Sequence, residues 1–110
     1  MFQIVNPPDR VKPRVRAYSG SARRGTRGRL RVEAADARGR VRLLVTLQYR
    51  GRVLYRGRMG LTETNWGESL FFHTTRPLPR SLPAGRYLLC ARAWDEAGNS
   101  ARSCARYHVF

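Results

Sequence analysis

The sequence predicts an all-β domain, an antiparallel two-sheet β-sandwich of about seven strands. Three observations carry that expectation. Apolar residues recur at every second position in short segments, as half-buried strands require. Clusters of Gly, Pro, Asn and Asp separate the segments. No ten-residue stretch shows the three-and-four spacing of an amphipathic helix.

Taken in order, residues 1–10 read as a linker or N-terminal extension, because Asn6-Pro7-Pro8-Asp9 interrupts any ladder. The domain then covers 11–110. Residues 14–18 suit an edge strand, with Pro13 barred from a central position. Residues 19–29, rich in Gly, Ser and Arg, read as a loop. Leu30, Val32 and Ala34 alternate with Arg31 and Glu33 as a strand, and Asp36-Ala37-Arg38-Gly39 turns the chain. Val41, Leu43, Val45, Leu47 and Tyr49 give the strongest alternation, with Leu44 the exception on the polar side. Arg50-Gly51-Arg52 closes a hairpin into a strand over 53–58, where Gly57 and Gly60 predict an edge position or a bulge. Residues 60–68 read as a polar loop and 69–75 as a strand. Pro77, Pro79 and Pro83 then forbid regular structure until Gly85, and strands over 87–94 and 100–110 close the domain.

The last two strands predict their own register. Glu96-Ala97-Gly98 fits a type I turn followed by a left-handed glycine, so Asp95 faces Asn99. Counting back, Trp94 faces Ser100, Arg92 faces Arg102, and Cys90 faces Cys104. Opposed residues in such a pair lie close enough for a disulfide, which implies an oxidising compartment. Two buried thiols are the alternative. Tyr87, Leu89, Ala91 and Ala93 then share a core face with Tyr107, Ala105, Ser103 and Ala101. Cys90, Arg92, Arg102, Arg106 and His108 share the solvent face.

The run from Gly85 through Tyr87 to Asp95-Glu96-Ala97-Gly98-Asn99 resembles the terminal strands of bacterial Ig-like domains. The likeness is specific over 85–104 and architectural over 11–75. It implies an Ig-like sandwich, with Tyr87 in the tyrosine-corner place and its hydroxyl bonded to the preceding loop. Leu89 stands where antibody domains hold the second cysteine, so a hairpin disulfide would replace the inter-sheet one. The resemblance implies a spacer or binding module of a secreted or cell-surface protein, beside neighbouring domains and without a cofactor. Some relatives bind carbohydrate or protein. Met1 to Val5 is too short for a signal peptide, so an export signal would lie outside this sequence. The longest apolar run is too short to span a membrane as a helix.

The net charge of +15 is carried by arginine, Lys12 being the one lysine. An anionic partner such as nucleic acid, acidic polysaccharide or a phosphate-bearing cell-wall polymer fits it; codon bias toward arginine also explains it. The arginines alternate along the chain rather than forming one run, which favours solvated strand faces over a nucleic-acid site. Arg29, Arg31, Arg40, Arg42, Arg92, Arg102 and Arg106 are candidates for outer sheet faces. Arg92 opposite Arg102 is a small liability that Glu33 or an external anion would relieve. Trp66, beside Asn65, either stacks on a sugar or anchors a partner, or folds back to cap the sandwich. Trp94 either stacks on Arg92 or Arg102 or covers the disulfide. His73 and His108 belong to no nucleophile motif, and no zinc or phosphate-loop signature occurs, so the expectation is not an enzyme. Asp95, Glu96 and Asn99 would suit calcium weakly; turn hydrogen bonding explains them without a metal.

Overall fold

The computed structural model describes residues 12–26, 29–35, 39–64, 70–73 and 81–110, with 39, 61–64 and 70–73 as strand backbone alone. Among them are eight strands and no helix: β1 (Arg14–Ala17), β2 (Gly20–Ala22), β3 (Arg31–Ala35), β4 (Gly39–Tyr49), β5 (Arg52–Thr64), β6 (Leu70–His73), β7 (Gly85–Asp95) and β8 (Ser100–Val109). They form two sheets, one in the order β1-β3-β6 and one in the order β2-β8-β7-β4-β5. No helix among the described residues is long and apolar enough to cross a membrane.

β4 is central because its inward face is aliphatic throughout. Val41, Leu43, Val45 and Leu47 are each at most 2% exposed, and they sit between β5 and β7. Leu30, Val32, Ala34 and Ala17 from the smaller sheet complete one core with Tyr87, Leu89, Ala91, Ala93, Tyr107 and Val109. Each buried Val, Leu or Tyr contributes about 1.5–3 kcal/mol over its exposed form.

The closing hairpin has the register that its turn predicts. Asp95 N–H donates to the Asn99 carbonyl at 3.0 Å, Gly98 N–H donates to the Asp95 carbonyl at 3.3 Å, and Gly98 has φ 90°. Asp95 and Asn99 are therefore a hydrogen-bonded pair. Starting one position on, the closely spaced non-hydrogen-bonded pairs alternate at Trp94/Ser100, Arg92/Arg102 and Cys90/Cys104. The disulfide closes that last pair, whose Cα atoms lie 4.1 Å apart.

Tyr49 is followed by a two-residue turn with positive φ at both Arg50 (49°) and Gly51 (78°), the type I′ geometry whose twist matches the flanking strands. β5 is an edge strand, as its glycines predict, with two register shifts: one at Gly60–Leu61 opposite the Val41/Leu43 step, and one at Leu54, without a glycine, opposite the Leu47/Gln48 step. β1 is likewise an edge strand.

Two expectations need correction, and a third holds only in part. Residues 19–29 are not all loop: Gly20–Ala22 pairs in parallel with the end of β8, and Phe110 N–H donates to the Ala22 carbonyl at 3.0 Å. Tyr107 sets this approach, since a Cβ on Gly20 would meet its ring at 3.1 Å. Residues 60–64 are strand, not loop, because β5 follows β4 to its beginning at Gly39. Cys90 lies on the outer face, as its register predicts, but it is only 4% exposed there because its neighbours cover it. The expected linker over 1–10, the turn at 36–38 and the strand ends at 69 and 74–75 lie outside the described residues.

Candidate functional site

The five-stranded sheet turns one face to the core and the other outward. Parity along each strand decides which residues occupy the outer face. Its rows follow from the pairings. Trp94 lies between Ser100 and Arg42; Arg92 lies between Arg102 and Leu44, with Arg58 beyond Leu44; Cys90 lies between Cys104 and Thr46, with Arg56 beyond. Leu88 then lies between Arg106 and Gln48, and Arg86 beside His108. Arg92 and Arg102 thus become cross-strand neighbours on adjacent strands, and Arg58 follows two strands beyond Arg92, across Leu44.

Trp94 is the centre of this arrangement. It is half-buried, with the Arg92 guanidinium 5.0 Å and the Arg42 guanidinium 5.9 Å from its ring centroid. Both cations are attracted to the ring's negative face. Arg92 Nη2 also donates to Ser100 Oγ at 3.2 Å. Arg102 does not stack on Trp94; its Nη2 lies 3.5 Å from Cys90 Sγ, a weak acceptor. Of the disulfide pair, Cys104 is exposed and Cys90 is covered by its neighbours. Between Trp94 and β5 lies an open cleft of about 410 Å³, lined by Arg42, Leu44, Arg58, Met59 and Gly60. A shallower depression of about 200 Å³ continues past Leu44 to Thr46, Cys90, Arg92 and Arg102.

Acidic residues stand away from these rows. β4, β8 and β2 contain none, β7 contains Asp95 at its end, and β5 contains Glu63 opposite Arg40 at the sheet's far end. Asp95 is buried; its Oδ1 accepts from Asn99 N–H and its Oδ2 from Asn99 Nδ2, each at 2.8 Å. Glu96 accepts from Arg40 Nε at 2.9 Å, and that hydrogen bond holds its carboxyl below the usual carboxylate range. Arg106 occupies the same outer face, one row beyond the disulfide.

The smaller sheet carries a second, different cluster. The Tyr18 ring has the Arg16 and Arg31 guanidiniums at 4.8 and 4.6 Å, and its hydroxyl donates to Glu33 Oε2 at 2.5 Å. That hydrogen bond raises the Tyr18 pKa above its ordinary value. The predicted arginine ladder is therefore divided. Arg40, Arg42, Arg92, Arg102 and Arg106 belong to the larger sheet, and Arg31 to the smaller one. Exposed Arg29 precedes β3, and its carbonyl accepts from the Tyr107 hydroxyl at 3.2 Å. Glu33 is engaged by Tyr18, whereas Arg92 is steadied by Trp94 and Ser100.

Tyr87 holds the base of β7. Its hydroxyl donates to the Pro83 carbonyl at 2.5 Å, and its ring stacks on Tyr49 with centroids 4.8 Å apart. Asn65 and Trp66 lie outside the described residues. The sequence does not name Arg42 as a partner of Trp94 or Arg58 as part of the same cleft, because only the strand order brings them there. Among the described residues no three His, Cys, Asp or Glu side chains cluster as metal ligands. Comparison with protein-family models and with curated proteins gives no match for the chain.

Proposed function

We propose that this chain is a non-catalytic, Ig-like spacer or binding module of a secreted or cell-surface bacterial protein. The Cys90–Cys104 disulfide is the observation that carries the reading, since such bonds persist in oxidising compartments and are rare in the cytosol. The strand order supports the Ig-like part. The orders β1-β3-β6 and β8-β7-β4-β5 are those expected if the strands take the places A, B and E and G, F, C and C′ of an immunoglobulin plan. The Tyr87–Pro83 hydrogen bond supports the same reading, since a tyrosine corner would make such a bond to the preceding loop. Neighbouring domains of the parent protein are the partners such a module joins.

Localisation tests the reading. Protease added to intact cells of the source should degrade the protein, or it should be recovered from the medium or periplasm. Recovery in the cytosol alone would refute it. The runner-up, a basic β-domain that binds an anionic polymer, is favoured by one observation, the collection of arginines on the outer face of the larger sheet.

A further inference from the structure

We propose that the outer face of the five-stranded sheet is a docking surface for a linear acidic polysaccharide, seated across the strands from Arg58 over Leu44 and Trp94 to Arg92 and Arg102. The proposal rests on the exported-module reading, and it assigns a ligand class to that module.

Charge complementarity is the first support. The rows through Trp94 and Arg92 bring Arg42, Arg58, Arg92 and Arg102 together, and β4, β5 and β8 contribute no acid to those rows. A planar guanidinium meets a carboxylate or sulfate with two parallel N–H donors, which a lysine ammonium cannot do. Two of these guanidiniums are already ordered by the Trp94 ring, so less rotamer entropy is lost when an anion binds.

Shape is the second support. The cleft beside Trp94 and the depression over the disulfide adjoin at Leu44 and make one shallow, open path across the strands. A sugar chain with a charge on successive units can lie along such a path. Cationic positions across the sheet repeat at multiples of about 4.8 Å, and an apolar floor formed by Leu44 and the disulfide receives the ring C–H surfaces.

The same features disfavour nucleic acid. A duplex groove takes an element that protrudes into it, whereas the cationic rows here line a shallow concavity. Single strands need a series of aromatic platforms for successive bases, and Trp94, held by two guanidiniums, is the one large aromatic of the central rows.

Calorimetric titration of the purified oxidised chain at low ionic strength tests the proposal. The probes are size-defined oligogalacturonate, a single-stranded DNA oligomer of equal charge, and neutral dextran. Two double variants are compared, with circular dichroism to verify their sheet content. Arg42→Gln/Arg92→Gln removes the pair on Trp94, and Arg16→Gln/Arg31→Gln removes the corresponding pair on Tyr18. Each loses two charges and two cation–π contacts. The expected result is oligogalacturonate binding that the first variant weakens by about tenfold or more and the second by less than about twofold. Three results would each overturn it: equal weakening by both variants, tighter binding of DNA, or no binding of oligogalacturonate. These outcomes are separate from the export reading, which depends on where the native protein is found.

Discussion

At the scale of single residues, two tyrosines show how the core constrains the chain's response to pH. Tyr87 and Tyr107 are 3% and 2% exposed, and each hydroxyl donates to a backbone carbonyl. Burial pushes both phenols above their ordinary value, since a phenolate would lose its hydration. A raised folded pKa means stability that is complete below the unfolded value and is lost as pH rises through the folded one. Denaturant midpoints should therefore hold steady to about pH 10 and fall above it. Tyr87→Phe should remove part of that alkaline fall and cost about 1 kcal/mol at neutral pH for the lost bond to Pro83. Gly85 is the more sensitive position. Its φ is 149°, and an added Cβ would lie 2.7 Å from the Tyr49 ring. Gly85→Ala should destabilise by about 1–3 kcal/mol in chemical denaturation, mainly by displacing the Tyr49–Tyr87 stack.

At the scale of elements, the two hairpins differ in how well their turns fit. Asp95 to Asn99 has glycine at its left-handed position and a carboxylate that accepts from Asn99 twice. The β4–β5 turn places Arg50 at φ 49°, a conformation that asparagine and glycine adopt at lower cost. Arg50→Asn should raise stability by about 0.5–1 kcal/mol, read as a higher thermal midpoint. The disulfide spans 14 positions, so Cys90→Ser/Cys104→Ser should lower stability by up to about 3 kcal/mol through the freed unfolded chain.

The hairpins were legible in the sequence because their information is local. Turn residues set the pairing, and alternation sets the face. β2 was not legible, because three residues pairing in parallel with β8 leave no pattern around Gly20, Ser21 and Ala22. The extension of β5 over 60–64 was hidden by polar residues that an edge strand tolerates.

For the molecule as a whole, strand order converts a dispersed charge into a concentrated one. Arg42, Arg58 and Arg92 read as isolated polar positions in three strands; β4 lying between β5 and β7 makes them neighbours. The sequence therefore disclosed the outward direction of Arg92, Arg102 and Arg106 and named Arg92 as a partner of Trp94, but not Arg42 as the second one. A chain of pI ≈ 11.6 with such a face should bind any polyanion less as salt rises. Its two sheets share one core, and the disulfide lies on the opposite side of the larger sheet from it. The clip can be lost without opening the core, so Cys90→Ser/Cys104→Ser should still unfold cooperatively.

The disulfide joins sequence, fold and compartment, and its state in the native protein is the most direct test. Cells of the source are quenched with a thiol-alkylating reagent before lysis, and the protein is digested without reductant and mapped by mass. The expected result is one linked pair of peptides carrying Cys90 and Cys104, unalkylated, with a mass deficit of two hydrogens. Recovery of both cysteines as alkylated thiols would contradict it.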